Sequence, residues 1–177
     1  PVVAVERLFL FGAGHVAEPT SAFASACGFE VTVIDERADY NTPERFPQAV
    51  RHHVAPHGDV FSSLEIGARD YVVITTHNHD HDRDVLARAL RTEARYIGMI
   101  GSTQKVKKTF AQLRLEGLTD SDLARARTPI GLDIFAETPA EIAVAIVGEL
   151  IRERREGPSQ KKTRGAEVVS MHETEEP

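Results

Sequence analysis

Short, mostly apolar runs alternate with longer mixed segments along most of this chain. The runs fall at residues 7–11, 30–34, 50–54, 70–75 and 95–99. Continuous runs of this length, rich in Val and Ile, are typical of strands that are buried on both faces of a parallel sheet. We therefore predict one strand for each run.

The mixed segments between the runs can form helices, which we predict at residues 15–27, 60–66, 81–93 and 103–116. Strands and helices that alternate in this order favour an α/β fold, in which a doubly wound parallel sheet lies between two helical layers. The pattern thus predicts a three-layer αβα architecture.

A final helix is predicted to begin at Thr138 and to run to about residue 155. Thr138 can cap it, Pro139 suits its first position, and Glu141 completes a capping box. Its broad apolar stripe should be buried, either against the sheet or against a second subunit. We expect residues 1–156 to form one domain. Residues 157–177 are rich in Lys, Glu, Ser and Thr, which predicts a flexible tail.

The first strand leads into the segment FGAGHVA at residues 11–17. Gly12 permits a tight turn, and Gly14 lets backbone N–H groups approach a pyrophosphate at the start of the next helix. His15 lies within the turn, where its imidazole could reach a bound ligand or face solvent. The spacing is that of a Rossmann-like mononucleotide-binding unit.

The second strand ends in an acid, Asp35, about twenty residues after the glycine turn. A carboxylate at this position can accept hydrogen bonds from a ribose diol. Arg37 lies close by and leaves a phosphorylated ribose possible. The two residues are therefore candidate nucleotide contacts.

The polar segment THNHDHD at residues 76–82 directly follows the fourth strand. Thr76 and His79 could contact a cofactor at the carboxyl edge of the sheet, and His79 with Asp82 is the candidate acid–base pair. The candidate metal ligands are His77, His79 and Asp82. Helix capping and solvation remain the alternative explanation of the same residues.

A second glycine loop, YIGMIGS at residues 96–102, follows the fifth strand. Gly98 and Gly101 permit unusual backbone angles, and Ser102 can cap the next helix, on which Lys105 lies. Such a loop can form a nest for an anion, although a strand-to-helix turn often carries glycine only in order to turn.

The apolar loop PIGLD at residues 129–133 precedes the last helix. Gly131 and Asp133 would contact a ligand if this loop closes over the crevice at the sheet edge. Otherwise Asp133 is an ordinary turn residue.

Composition narrows the classes of function. The formal net charge of −6 argues against a nucleic-acid-binding surface, so the partners should be small molecules or proteins. Cys27 is the one cysteine, which excludes an intramolecular disulfide and fits a reducing cytoplasm. We expect its thiol to be packed in the core. No run approaches the length of a membrane span, so a soluble cytoplasmic protein is expected.

Taken in order, FGAGHVA, VTVIDER, THNHDHD, YIGMIGS and PIGLDIFAETPAEIAVAI resemble the xanthine dehydrogenase accessory factor family, XdhC/CoxI, over about residues 7–155. The resemblance is to the carboxyl-terminal Rossmann domain of that family. It implies a protein that binds molybdenum cofactor, as molybdopterin or its dinucleotide form, and delivers it to a molybdenum hydroxylase after a cysteine desulfurase has supplied the terminal sulfur.

The family pattern falls on glycine, acidic, basic and hydroxyl residues of the five blocks. Three positions depart from it: Thr103 and Gln104 stand where a basic pair is usual, and Phe135 replaces a small residue. The matching residues are Gly12, Gly14, His15, Asp35, Arg37, Thr76, His79, Asp82, Gly98, Gly101, Ser102, Lys105, Gly131, Asp133, Thr138 and Glu141.

The leading hypothesis is an accessory protein without turnover of its own, which would form a homo-oligomer. An NAD(P)-dependent oxidoreductase is the alternative, because Asp35 completes a dinucleotide fingerprint and His79 with Asp82 could move a proton. A ligand-sensing interaction module with the last helix as its dimer face is a third hypothesis.

Overall fold

A computed structural model describes residues 5–156 of the chain and contains one six-stranded sheet. Every pair of neighbouring strands is parallel, and the strand order is 3-2-1-4-5-6. The strands are β1 (Glu6–Phe11), β2 (Phe29–Ile34), β3 (Arg51–His53), β4 (Tyr71–Ile74), β5 (Tyr96–Met99) and β6 (Ala126–Arg127).

Helices cover both faces of the sheet. The first and last helices share one apolar core with one face, and the others share a second core with the opposite face. The helices are α1 (Ala17–Ala26), α2 (His57–Val60), α3 (His79–Ala89), α4 (Thr103–Leu115), α5 (Asp120–Leu123) and α6 (Pro139–Glu156). The predicted doubly wound, Rossmann-like αβα fold is confirmed.

The direction of strand order reverses between β1 and β4, which are neighbours in the centre of the sheet. In an open α/β sheet, the loops at the carboxyl ends of such strands separate toward opposite faces and leave a crevice where ligands bind. Both glycine loops follow strands of this parallel sheet, so both lie at its carboxyl edge, as predicted.

The five predicted strands are present, each within two residues of its predicted ends. The helix predicted at 60–66 is wrong: α2 covers only His57–Val60. Hydroxyl groups of Ser62 and Ser63 donate to the carbonyl oxygens of Asp59 and Val60 at 2.9 and 2.8 Å, which favours a turn over continuation of the helix. The short elements α5 and β6 were not predicted.

The start of α6 agrees with its predicted capping box. The N–H of Glu141 donates to Thr138 Oγ1 at 3.2 Å, and a Glu141 carboxylate oxygen accepts from the N–H of Thr138 at 2.9 Å. The apolar stripe, with Ile146, Val147 and Leu150, packs in the core shared with α1 and the sheet. Its burial within one chain thus does not require a second subunit.

The prediction for Cys27 is wrong, because its side chain is exposed. Helix α1 ends at Ala26 with Cys27 as its C-cap, and Gly28 follows with a φ of 88°, so Cys27 lies at the turn out of the helix. Within residues 5–156, none of the helices is long and apolar enough to cross a membrane. The predicted tail, residues 157–177, lies outside the described residues.

Candidate functional site at the carboxyl edge

The first glycine loop is shaped by two glycines with different constraints. Gly12 has a φ of 109°, and a Cβ at this position would lie 2.4 Å from the carbonyl oxygen of Thr75. Only glycine fits there, because the loop passes directly against the end of β4. A Cβ on Gly14 would meet nothing within 4 Å. Gly14 therefore faces open space at the crevice.

Three backbone N–H groups of this loop lack hydrogen-bond partners among the described residues. The N–H groups of Gly14, His15 and Val16 donate none of the backbone hydrogen bonds in the described part of the chain. The residue at the N-cap of α1, Val16, has no side-chain oxygen to satisfy them. His15 is exposed. Free N–H groups at the positive end of a ten-residue helix form a site that favours an anion.

Asp35 is fully buried and fastens the same loop to β2. Its Oδ2 accepts the N–H of Ala13 at 2.8 Å and an Arg37 guanidinium N–H at 2.7 Å, and its Oδ1 accepts two further bonds from Arg37. Burial alone would raise the pKa of Asp35, but these hydrogen bonds lower it to about 2. The carboxylate is thus ionised and fully engaged by its own chain.

Arg37 covers Asp35 on the solvent side. Its guanidinium carbon lies 3.9 Å from the ring centroid of Tyr40, and its side chain is only 24% exposed. A ribose diol could reach the carboxylate only by displacing this arginine. The two residues predicted as nucleotide contacts are therefore brought together, but they bind each other.

A second buried carboxylate, Asp82, organises the histidine segment. Its Oδ1 accepts the N–H of Thr76 at 3.1 Å and the hydroxyl of Thr76 at 2.6 Å, and its Oδ2 pairs with the ammonium group of Lys105. Asp82 thus joins the end of β4 to helix α4. Asn78 caps α3 by accepting the N–H of Asp80 at 2.9 Å.

The candidate acid–base pair does not form a hydrogen bond. His79 is exposed at the first turn of α3 and makes no hydrogen bond with Asp82 in the part of the chain that the structure describes. Both oxygens of Asp82 are already used by Thr76 and Lys105. This arrangement suits a positioning role for Asp82 better than proton transfer.

The second glycine loop caps α4 through Ser102, whose hydroxyl accepts the N–H of Lys105 at 3.3 Å. A Cβ on Gly98 would lie 2.6 Å from the side chain of Ile130, so this glycine of β5 lets the loop after β6 pack closely against the strand. A Cβ on Gly101 would lie 2.8 Å from the Lys105 side chain. Gly101 thus gives Lys105 room to reach Asp82.

A cleft of about 600 Å³ opens between the start of α3 and α4. This volume is in the usual range for small-molecule sites. Its lining combines four candidate site residues from the sequence, His79, Gly101, Ser102 and Lys105, with further charged and amide groups. The polar lining residues are His79, Asp80, Ser102, Gln104, Lys105, Lys108, Thr109 and Gln112.

The third loop is held by helix α6. Gly131 has a φ of 98°, and its N–H donates to Glu149 Oε2 at 2.7 Å. The same oxygen accepts a hydrogen bond from the hydroxyl of Tyr96 at 2.8 Å. The pKa of Tyr96 is raised well above its usual value, mainly by burial and next by the charge of Glu149. Asp133 is exposed and lines a separate cleft of about 300 Å³.

The residues predicted as metal ligands are not the ones that the fold brings together. The carboxylate of Asp82 already binds Thr76 and Lys105. By contrast, the ligand atoms of Glu36, His57 and His81 lie within 4.8 Å of one another. The rings of His77 and His81 lie 5.5 Å apart. Glu36, His57 and His81 were not among the predicted ligands, although Glu36 and His57 lie within a few residues of a strand end at the carboxyl edge.

Comparison with known proteins gives relatives over most of this chain. A protein of Bacillus subtilis (strain 168), named as a probable xanthine dehydrogenase subunit, is 34% identical over 149 residues, which cover 84% of this chain and 43% of that protein. The uncharacterized protein YqeB of Escherichia coli (strain K12) is 33% identical over 153 residues, which cover 86% of this chain and 28% of that protein.

A solved structure agrees with these sequence matches. The crystal structure of a xanthine dehydrogenase from Bacillus halodurans matches with a TM-score of 0.77 and 34% identity, over 92% of this chain and 45% of that one. The chain thus spans less than half the length of each of these relatives. Residues 8–150 match the family described as the XdhC Rossmann domain, and the chain belongs to that family.

Proposed function

We propose that this domain is part of an accessory protein for a xanthine-dehydrogenase-type molybdenum hydroxylase. We propose further that it binds molybdenum cofactor at the carboxyl edge of its sheet. Family membership and the names of the relatives support the xanthine dehydrogenase connection. The first glycine loop supports the binding of an anionic cofactor, and this observation carries the proposal.

The donor groups of this loop fit the chemistry of that cofactor. Molybdenum cofactor is a pterin that carries a phosphate or a pendant nucleotide. The N–H groups of Gly14, His15 and Val16, at the start of α1, would hold the phosphate. A Cβ on Gly14 would meet nothing within 4 Å, so the backbone is open to close approach.

The cleft between α3 and α4 supplies groups for the rest of an anionic, hydrogen-bonding ligand. Lys108 contributes a cation, while Gln104 and Gln112 contribute amide donors and acceptors. His79 lies on the opposite wall. Lys105 is oriented by Asp82 and would contact the ligand from a fixed position.

The clamp between Asp35 and Arg37 argues against the alternative function, an NAD(P)-dependent oxidoreductase. A dehydrogenase of this fold uses the acid after the second strand to bind the ribose diol. Here Asp35 is fully buried and accepts four hydrogen bonds from Ala13 and Arg37. The acid therefore stabilises the loop that would hold the cofactor.

The partners follow from the same proposal. The client would be a molybdenum hydroxylase, with a cysteine desulfurase supplying sulfur before delivery. Homo-oligomerisation is part of the same expectation. On this account the domain stores and transfers a cofactor and performs no redox turnover with NAD(P).

Anaerobic titration with purified molybdopterin tests the proposal. We expect saturable binding to the wild-type chain and a loss of at least about tenfold in affinity for Gly14→Val, whose side chain would occupy the space of the phosphate. Gly67→Ala is the matched control, because its Cβ would make only an ordinary 3.8 Å contact with Asp70, far along the chain from the loop.

Circular dichroism must show that both variants are folded. Unchanged molybdopterin affinity in a folded Gly14→Val variant would contradict the proposed phosphate site. Titration of the wild type with NAD and NADP, combined with a search for turnover, tests the alternative function, an NAD(P)-dependent oxidoreductase. Tight NAD(P) binding with substrate turnover that is lost in His79→Ala would contradict the accessory role.

A further inference from the structure

Three consecutive loops at the carboxyl edge converge on a group of histidine and glutamate side chains. Glu36 follows β2, His57 opens α2 after β3, and His81 lies in the first turn of α3 after β4. The two imidazole ring centroids are 5.2 Å apart, and Glu36 Oε1 lies 3.8 Å from His81 Nδ1. Residues remote in sequence thus present one ligand atom each toward a common point.

His57 has no hydrogen-bond partner although it is almost fully buried. It is 3% exposed, and neither Nδ1 nor Nε2 has a partner among the described residues. The Nδ1 of His81 is also buried and has no hydrogen-bond partner among these residues. Buried polar atoms in native proteins are nearly always satisfied by protein, water or a bound ion. These three nitrogen atoms lie beside one carboxylate and are therefore available to a bound ligand.

We propose that Glu36, His57 and His81 form a binding site for a divalent transition metal ion of the zinc type. Two imidazole nitrogens and one carboxylate oxygen are a donor set that Zn²⁺ accepts with three protein ligands, and they leave a fourth position for water or another molecule.

The distances are compatible with such an ion after small side-chain movements. All three ligand atoms lie within 4.8 Å of one another. A tetrahedral ion with bonds of about 2.0–2.1 Å needs about 3.3–3.4 Å between its ligands. Glu36 is exposed and His81 is partly exposed, so their side chains can close the gap while His57 stays fixed in the core.

The donor set also discriminates between metals. Mg²⁺ and Ca²⁺ prefer oxygen ligands in six- to eightfold coordination, which two imidazoles do not supply. Imidazole nitrogen suits zinc, copper, nickel and iron. None of the three residues lines the cleft between α3 and α4. The metal site is thus separate from the proposed cofactor cleft and goes beyond the proposed function.

Calorimetric titration of the purified, chelator-treated chain with Zn²⁺ tests this site. We expect one Zn²⁺ ion per chain, with the affinity reduced at least about tenfold in Glu36→Gln and in His81→Ala. His53→Ala is the matched control, because it removes a half-buried histidine outside the group and should bind Zn²⁺ like the wild type. Mg²⁺ at the same concentration should not bind here.

Glu36→Gln and His81→Ala change partly exposed side chains, so they can be tested even if a His57 variant does not fold. A wild-type chain that binds no Zn²⁺ contradicts the proposal. So does binding that persists unchanged in both folded variants or that falls equally in His53→Ala. The titration contains no molybdopterin, and its result is therefore independent of the proposed cofactor function.

Discussion

Two buried carboxylates and two imidazoles occupy the same edge of the sheet, but their surroundings differ. Asp35 and Asp82 are fully buried, and each is bound by a cationic side chain and by a backbone N–H of a neighbouring loop. His57 and His81 keep buried nitrogen atoms that have no partner among the described residues. The first pair holds the loops in place, and the second pair is open to a ligand.

This difference separates scaffold from contact surface. Asp35 and Asp82 belong to the residue types expected to bind a ligand, yet their oxygens are consumed by Arg37, Lys105 and the backbone. Groups without an internal partner are better candidates for ligand contact, because only a ligand or water can satisfy them. By this criterion the N–H groups of the first glycine loop, like the two histidines, are better candidates for ligand contact than the two acids.

The largest effect is expected from Asp82→Ala. Removal of the carboxylate leaves the Lys105 ammonium and the Thr76 hydroxyl without their partner in a buried setting. We expect the free energy of unfolding to fall by about 3–5 kcal/mol, measured by urea denaturation. Asp80→Ala changes an exposed acid on the same helix and should cost less than about 1 kcal/mol. Equal losses of stability in the two variants would show that the contacts of Asp82 with Lys105 and Thr76 have no special role.

A second comparison lies within the first glycine loop. Gly12→Ala forces a side chain into left-handed backbone and against the Thr75 carbonyl, and should lower the free energy of unfolding by about 2–4 kcal/mol. Gly14→Ala adds a methyl group in open space and should change it by less than about 1 kcal/mol. Thermal and urea denaturation of both variants measure the difference. A Gly14→Ala variant as unstable as Gly12→Ala would contradict the open space described at Gly14.

The smallest effect is expected from His57→Leu in the absence of metal. Leucine replaces an imidazole that makes no hydrogen bond with the described residues and removes the cost of its unpaired nitrogen atoms. We expect stability within about 1 kcal/mol of the wild type, or slightly above it. A loss as large as that of Asp82→Ala would mean that the imidazole already has a structural partner, and it would remove the contrast between the two pairs.

The fold could be predicted from the sequence because its signals are local. Apolar runs buried on both faces, a glycine turn and the Thr138 capping box each depend on neighbouring residues. Errors arose where one local pattern competed with another. Serine hydroxyls donate to carbonyl oxygens at the end of α2, and the end of α1 at Ala26 leaves Cys27 exposed.

The candidate site was less accessible to sequence reasoning. The residue types at the sheet edge were found, but not which of them bind one another. The contact between Asp82 and Lys105 crosses 23 positions, and that between His57 and His81 depends on how α2 packs against α3. No periodicity in the sequence encodes such pairings.

The central claim is that the unpaired N–H groups at the start of α1 bind the anionic part of the cofactor. Amide chemical shifts of the ¹⁵N-labelled chain, followed during anaerobic titration with molybdopterin, test it directly. We predict large saturable shifts for Gly14, His15 and Val16, and small shifts for Ala13, whose N–H already donates to Asp35. Binding that leaves the three loop amides unshifted would contradict the claim.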